Sequence, residues 1–261
     1  YHRWMPSLVL DFHEMGTDST YFFQPGVPER THPLIPPRVY ELTGHISEYF
    51  SAALDESGSL YFTRERFDDF YMGKGSTISD MKGAVGILFE QGSARGQVQE
   101  SENGLLYFRD AIRNQFTISR AILEAAMGKR LELLQNTRSF FREHLEAGKR
   151  AGSAGYRFAS PDAPARAREF ASILEAHRIT VLPLAEESGY FVPAAQPHYG
   201  YLEALVEDRT EFEQNLFYDI TAWSLPRAYN LQWERVSRKP ETVEAPPPVD
   251  PDLAESDLGY L

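Results

Sequence analysis

Two near-continuous apolar runs constrain this chain most, because each one ends directly in an ionisable side chain. Leu8, Val9 and Leu10, bounded by Pro6 and closed by Gly16, read as a short strand buried on both faces. Asp11, His13 and Glu14 follow at its carboxyl end. Ala84 to Phe89 forms a second run, and Glu90 ends it just before Gly92 and Gly96. Ligands of open α/β sheets bind beyond the carboxyl ends of the strands, so the pair predicts one cleft fed from two sides. His13 and Glu90 are the candidates for chemistry there. The competing readings are a satisfied core or turn histidine for His13, and a helix-capping or loop carboxylate for Glu90.

Between the runs, residues 17–37 are rich in Pro, Thr, Gly and aromatics, the composition of a long ordered loop. Pro37 suits the first turn of a helix to about Asp55, with Val39, Leu42, Ile46, Tyr49, Phe50 and Ala53 on one stripe and Gly58 past its end. Leu60 to Thr63 reads as a short strand and 64–82 as a loop. From Leu105 to about Lys149, Ile112, Phe116, Ile122, Met127, Leu131, Leu134, Phe141 and Leu145 are spaced for one apolar packing face, with Gly128 weakening the middle. Gly148 to Gly155 reads as a linker. Beyond it come a strand (Tyr156 to Ala159), a helix with Ser160 as N-cap and Pro161 at its first position, and a strand (Thr180 to Leu184). That βαβ order favours a parallel sheet. Aromatic-rich segments follow at Gly189–Pro193, His198–Asp208 and Glu211–Trp223, and the Pro- and acid-rich stretch from Arg238 to Asp257 reads as a loop or disorder.

A length of 261 residues allows one or two domains, and a formal charge of −12 argues against nucleic acid or an anionic membrane surface as partner. No run approaches the eighteen apolar residues that a membrane span needs. The absence of cysteine removes disulfides, thiolate zinc sites and a cysteine nucleophile. The chain opens Tyr-His-Arg-Trp and enters a strand almost at once, which reads as an internal piece of a longer protein.

Three elements in order carry a resemblance: Val-Leu-Asp-Phe-His13, then Tyr71-Met-Gly-Lys-Gly-Ser-Thr, then Gly-Ala-Val-Gly-Ile-Leu-Phe-Glu90. Together they resemble the zinc metallocarboxypeptidases of the carboxypeptidase A-like family, over roughly residues 1–100. The resemblance implies a mixed-sheet α/β sandwich and one Zn²⁺ with His13 as its third ligand. It also implies Glu90 as the general base acting on the zinc-bound water, and Tyr71 as a hydrogen-bond donor near the substrate's terminal carboxylate. Tyr71 has the alternative of a packing aromatic. A catalytic zinc needs three protein ligands and one position for water. The family's His-x-x-Glu pair and its carboxylate-binding arginine do not precede His13, so two further ligands are expected upstream of Tyr1. His45-Ile-Ser-Glu48 has the spacing but lies after His13, on what reads as an ordinary amphipathic helix.

The last hundred residues are weakly similar to the glutamine-amidotransferase-like α/β domain that follows the peptidase in some large bacterial secreted or periplasmic members. Without a cysteine they read as a binding or structural module. The expected division is 1–104 for the carboxyl-terminal part of the catalytic domain, 105–150 for a helical connector and 151–261 for a smaller accessory α/β domain. The resemblance implies hydrolysis of carboxyl-terminal peptide bonds in a peptide or a peptidoglycan stem by a secreted or periplasmic parent enzyme, with this piece, which lacks the upstream His-x-x-Glu pair, expected to be inactive alone. The alternative is an inactive peptidase-like module that binds peptide or cell-wall glycan ends. A serine hydrolase fits poorly, because Gly92-Ser-Ala-Arg-Gly96 lacks the Gly-x-Ser-x-Gly spacing.

Overall fold

The structure, a computed structural model, describes residues 1, 3–185, 188–209, 211 and 224–243. Most of the aromatic segment expected at Glu211–Trp223, and the acidic tail beyond 243, lie outside the described residues. What is described is a mixed α/β protein with seven α-helices and three sheets.

The first sheet holds β1 (Leu8–Met15), β2 (Tyr21–Phe23), β3 (Tyr61–Phe62) and β4 (Val85–Gly92), in the order β1-β4-β2-β3. β1 and β2 are each followed by loop, and α1 (Pro37–Ser57) and α2 (Gly75–Asp80) precede β3 and β4 respectively. β1 runs parallel to β4, β4 antiparallel to β2, and β2 parallel to β3, so the sheet is mixed. β1 is longer than its apolar run and occupies an edge. It is therefore not buried on both faces, and Phe12, His13 and Glu14 are exposed. β4 does match the expectation, with every residue but Glu90 buried.

Alternation along the strands separates the two faces of this sheet. Val85, Ile87 and Phe89 point to one side, where α1 packs. Phe50 of α1 is fully buried and meets Phe23 and Phe89 edge-on, with ring centroids at 5.6 and 5.1 Å. Val39, Leu42, Ile46, Phe50 and Leu54 form the buried stripe of α1. The helix stops at Gly58, whose left-handed φ of 67° lets its N–H and that of Ser59 close on the carbonyls of Asp55 and Leu54. On the other face, α2 presses its backbone onto β4 at Gly86, where a Cβ would come within 2.1 Å of the Ser76 carbonyl oxygen.

A hairpin of β5 (Val98–Ser101) and β6 (Gly104–Tyr107) leads into α3 (Phe108–Gly128) and α4 (Arg130–Lys149). The boundary expected at 104/105 thus falls inside this hairpin. The chain does break after Gly128. α3 lies along α1 and reaches β4, while α4 packs against α6 and also touches α1 and α3. The buried face of α3 is Ala111, Asn114, Ile118, Ala121, Ile122 and Ala125. Ile112, Phe116, Met127, Leu131 and Leu134, expected on the packing face, are all more than half exposed.

The second sheet contains β7 (Gly155–Ala159), β8 (Leu182–Pro183), β9 (Gly189–Pro193) and β10 (Gln232–Val236), with α5 (Pro164–Ala176), α6 (Tyr199–Val206) and α7 (Leu225–Ala228) around it. Its order is β10-β7-β9-β8 and every pair is antiparallel, which corrects the parallel sheet expected from the βαβ order. β7 and β8 do point the same way, but β9 inserts between them. α5 starts at Pro164, not at Pro161, and Ser160 is buried instead of capping it. Buried side chains from both sheets belong to one contiguous cluster, from Tyr21 through Phe158 to Leu231. Among the described residues no helix is long and apolar enough to cross a membrane.

Candidate functional site

The parallel register of β1 and β4 sets Asp11 beside Leu88 and His13 beside Glu90. Antiparallel pairing sets Phe22 of β2 opposite Glu90, and β3 adds Phe62 opposite Phe22. Residues paired this way share a face, so His13, Glu90, Phe22 and Phe62 form one row across all four strands. That row floors a cleft of about 660 Å³, within the range of small-molecule sites. Asp11, Met15, Ser19 and Leu88 complete the floor. The opposite wall is the loop residues Arg66 and Phe67 with Lys74, Gly75 and Ser76 at the start of α2.

Asp11 and His13 are two residues apart on a strand and therefore point the same way, and His13 Nε2 lies 2.9 Å from Asp11 Oδ1. Glu90 is the most enclosed of the three. Burial pushes its carboxyl above the usual carboxylate range; His13 works against that shift and Asp11 adds to it. Its Oε2 is buried with no hydrogen-bond partner among the described residues. Glu14 projects to the opposite face, where it accepts a hydrogen bond from Ser93 Oγ at 2.8 Å.

The two strand-end candidates are thus adjacent, and the remaining ones are elsewhere. Tyr71 does not line the cleft. Its ring packs against the hydrophobic cluster, close enough to Tyr201 to help raise that phenol's pKa. His45 and Glu48 are exposed on α1, and His45 lines a different groove with Arg38 and Glu132. No group of three or more His, Cys, Asp or Glu side chains among the described residues is placed to share a metal ion.

The sequence reading missed Phe22, Phe62, Phe67, Arg66 and Lys74, all from segments read as loop or short strand. Asp11 carried a usable signal, since its period-two spacing from His13 fixes a common face.

Comparison with known protein families, with curated proteins and with solved structures finds no match in any of the three.

Proposed function

We propose that this cleft hydrolyses the terminal bond of a peptide or peptidoglycan stem, with Glu90 as general base. The observation that supports this reading is the buried, unpartnered Oε2 of Glu90 on the cleft floor beside His13. A carboxylate whose charged form is disfavoured by burial accepts a proton at near-neutral pH more readily than one in water. Glu90 takes the proton of the attacking water and returns it to the leaving amine. Asp11 fixes the ring of His13 at the open side of the cleft. A zinc at His13 would need ligands beyond those the described residues supply, and no step is assigned to it. Secretion or a periplasmic location belongs to the same proposal, through the family resemblance.

The test is Glu90→Gln, assayed on N-acyl dipeptides with a free carboxyl terminus. The amide keeps the size of the side chain but cannot accept the proton, so kcat should fall by about 10²- to 10⁴-fold with little change in binding. Turnover at the wild-type rate would end the proposal. A second reading, a module that binds peptide or cell-wall glycan ends without cutting them, is favoured by the position of Tyr71 outside the cleft. Wild-type protein that binds such ends yet releases no product would decide for it.

A further inference from the structure

α3 is apolar on two opposite faces. Ala111, Ile118, Ala121, Ile122 and Ala125 are buried on the side that meets α1. On the other side Phe108, Ile112, Phe116, Leu123 and Met127, continued by Leu131 and Leu134 in α4, stand in solvent, each between 48% and 76% exposed. Their steps of three, four or seven residues keep them on one helix face. The break at Lys129 does not interrupt the stripe, because the Lys129 N–H still reaches the Ala125 carbonyl at 2.8 Å and the Leu133 N–H the Lys129 carbonyl at 2.9 Å. The outer face of a surface helix is ordinarily polar, and an apolar one marks a second partner.

Area says how large that partner's contact is. At about 100 Å² of open surface for each of these large side chains, a little over half of what one can bury, the stripe offers roughly 700 Å². That exceeds the ~300–600 Å² of the largest patch on an ordinary monomer. It is close to the ~800 Å² that each side gives to a stable protein interface, and the charged side chains along the stripe's borders make up the difference.

The stripe is also complementary to itself. Its spacing is nearly a palindrome about the peptide bond between Ala121 and Ile122. A two-fold axis there lays a second copy across it in antiparallel sense, setting Phe116 against Met127, Ile112 against Leu131 and Phe108 against Leu134, with Leu123 of each copy beside the axis. Charge fits the same register. Arg113 pairs with Asp110 and Lys129 with Glu132 within the helices, both at 3.1 Å, whereas Arg120 and Glu124, exposed at the middle of the stripe, have no ion-pair partner among the described residues. These two lie one turn apart on the same border, and a two-fold between antiparallel helices keeps like borders together. Arg120 of one copy therefore meets Glu124 of the other on each side of the axis. An anionic lipid surface would satisfy Arg120 and repel Glu124.

We propose that the outer face of α3 and α4 is the interface of an antiparallel homodimer of this chain, with Phe116 and Met127 as its apolar anchors and Arg120 and Glu124 setting its register.

Sedimentation equilibrium on the full chain tests this. The chain should be dimeric at about 100 µM, and Phe116→Ser should raise the dissociation constant by about 30-fold or more while its circular dichroism stays that of wild type. Arg120→Glu and Glu124→Arg should each weaken the dimer by about 10-fold, and the double reversal should return it to within about 3-fold of wild type. Because the chain has no cysteine, single replacements report the geometry through a short bis-maleimide. Leu123→Cys, beside the axis, should give a covalent dimer. Ile112→Cys, about 28 Å from its own copy by helical rise, should not cross-link alone but should do so when mixed with Leu131→Cys. A chain that stays monomeric at that concentration, or that leaves the monomer only on vesicles of phosphatidylcholine with phosphatidylglycerol, would overturn the inference. So would wild-type dimer affinity in Phe116→Ser, a double reversal that fails to rescue, or a covalent dimer of Ile112→Cys by itself.

Discussion

Lys82 donates its ammonium to the main-chain carbonyl of His177 across 3.0 Å, and so ties the segment between α2 and β4 to the end of α5. The side chain is 1% exposed and its Nζ lies 4.3 Å above the ring of Tyr201. Burial, helped by the charge of Arg178, pushes this ammonium down to about 7.

In the unfolded chain a lysine keeps its proton to about pH 10.4. Between pH 7 and that value the unfolded state therefore binds more protons than the folded one, and stability rises with pH across the window. Lys82→Met should flatten the rise. Denaturant midpoints at pH 6.5, 8.5 and 10 check it, and equal pH slopes for the two proteins would show that Lys82 stays charged when buried.

The buried pair Asp69 and Asp80 carries the opposite sign. The two side chains hydrogen-bond to each other; Asp69 also accepts from Thr77 Oγ1 at 2.5 Å, and Asp80 from the Gly86 N–H at 2.7 Å. Burial raises Asp69, and burial with the neighbouring Asp69 raises Asp80 well above the ordinary value. Above the unfolded value of about 3.9 the folded state holds a proton that the unfolded state has lost, so stability falls as pH rises. Asp80→Asn keeps an acceptor for Gly86 and supplies a donor for Asp69. It should raise the melting temperature at pH 8 more than at pH 5, and an equal change at both would count against a shared proton.

At Gly86 the added Cβ of an alanine would lie 2.1 Å from the Ser76 carbonyl oxygen and 2.7 Å from its Cα, both backbone atoms that cannot rotate away. Gly86→Ala should cost about 1–3 kcal/mol or more by overpacking. It should also weaken ligand binding, because the displaced turn carries Gly75 and Ser76 of the cleft wall. A variant of wild-type stability and affinity would mean that α2 is not held where it is described.

Along α3, Phe116→Ser should leave the monomer, measured at high dilution, within about 0.5 kcal/mol of wild type, because that ring is 65% exposed. Ile118→Ala, two residues on and fully buried, should lose about 2–5 kcal/mol. Similar losses at both positions would mean that the exposed stripe is covered within a single chain.

That helix also shows what the sequence could and could not disclose. Spacing of large apolar residues along 105–149 announces a packing face, but the face that meets α1 sets small residues, Ala111, Ala121 and Ala125, around Ile118 and Ile122, and leaves Ile112, Phe116 and Met127 outside. The close fit is visible at Gly128, where a Cβ would meet the Tyr49 hydroxyl at 2.4 Å. α1 was legible because local chemistry bounds it, with proline at its start and a left-handed glycine at its end. The antiparallel second sheet was not, since β9 enters between β7 and β8 from later in the chain and no local signal reports a non-local pairing. At the site, His13 and Glu90 were legible because an ionisable residue directly after an apolar run is conspicuous, although both strands run on past them, to Met15 and Gly92, and β1 lies at an exposed edge. Arg66, Phe62 and Phe67 were not, because their convergence depends on how an irregular loop turns.

The parallel pairing of β1 with β4 gives these two strands a reading frame. Pairing runs unbroken from Leu8 with Val85 to Met15 with Gly92, and successive side chains alternate between cleft and core. One residue inserted early in either strand would send its whole set of side chains to the wrong side. In β4 that means Phe89 facing the cleft and Glu90 facing α1. The strands can therefore absorb substitutions but not single-residue insertions or deletions, which should be confined to connections such as 16–20, where the frame is reset before β2 begins.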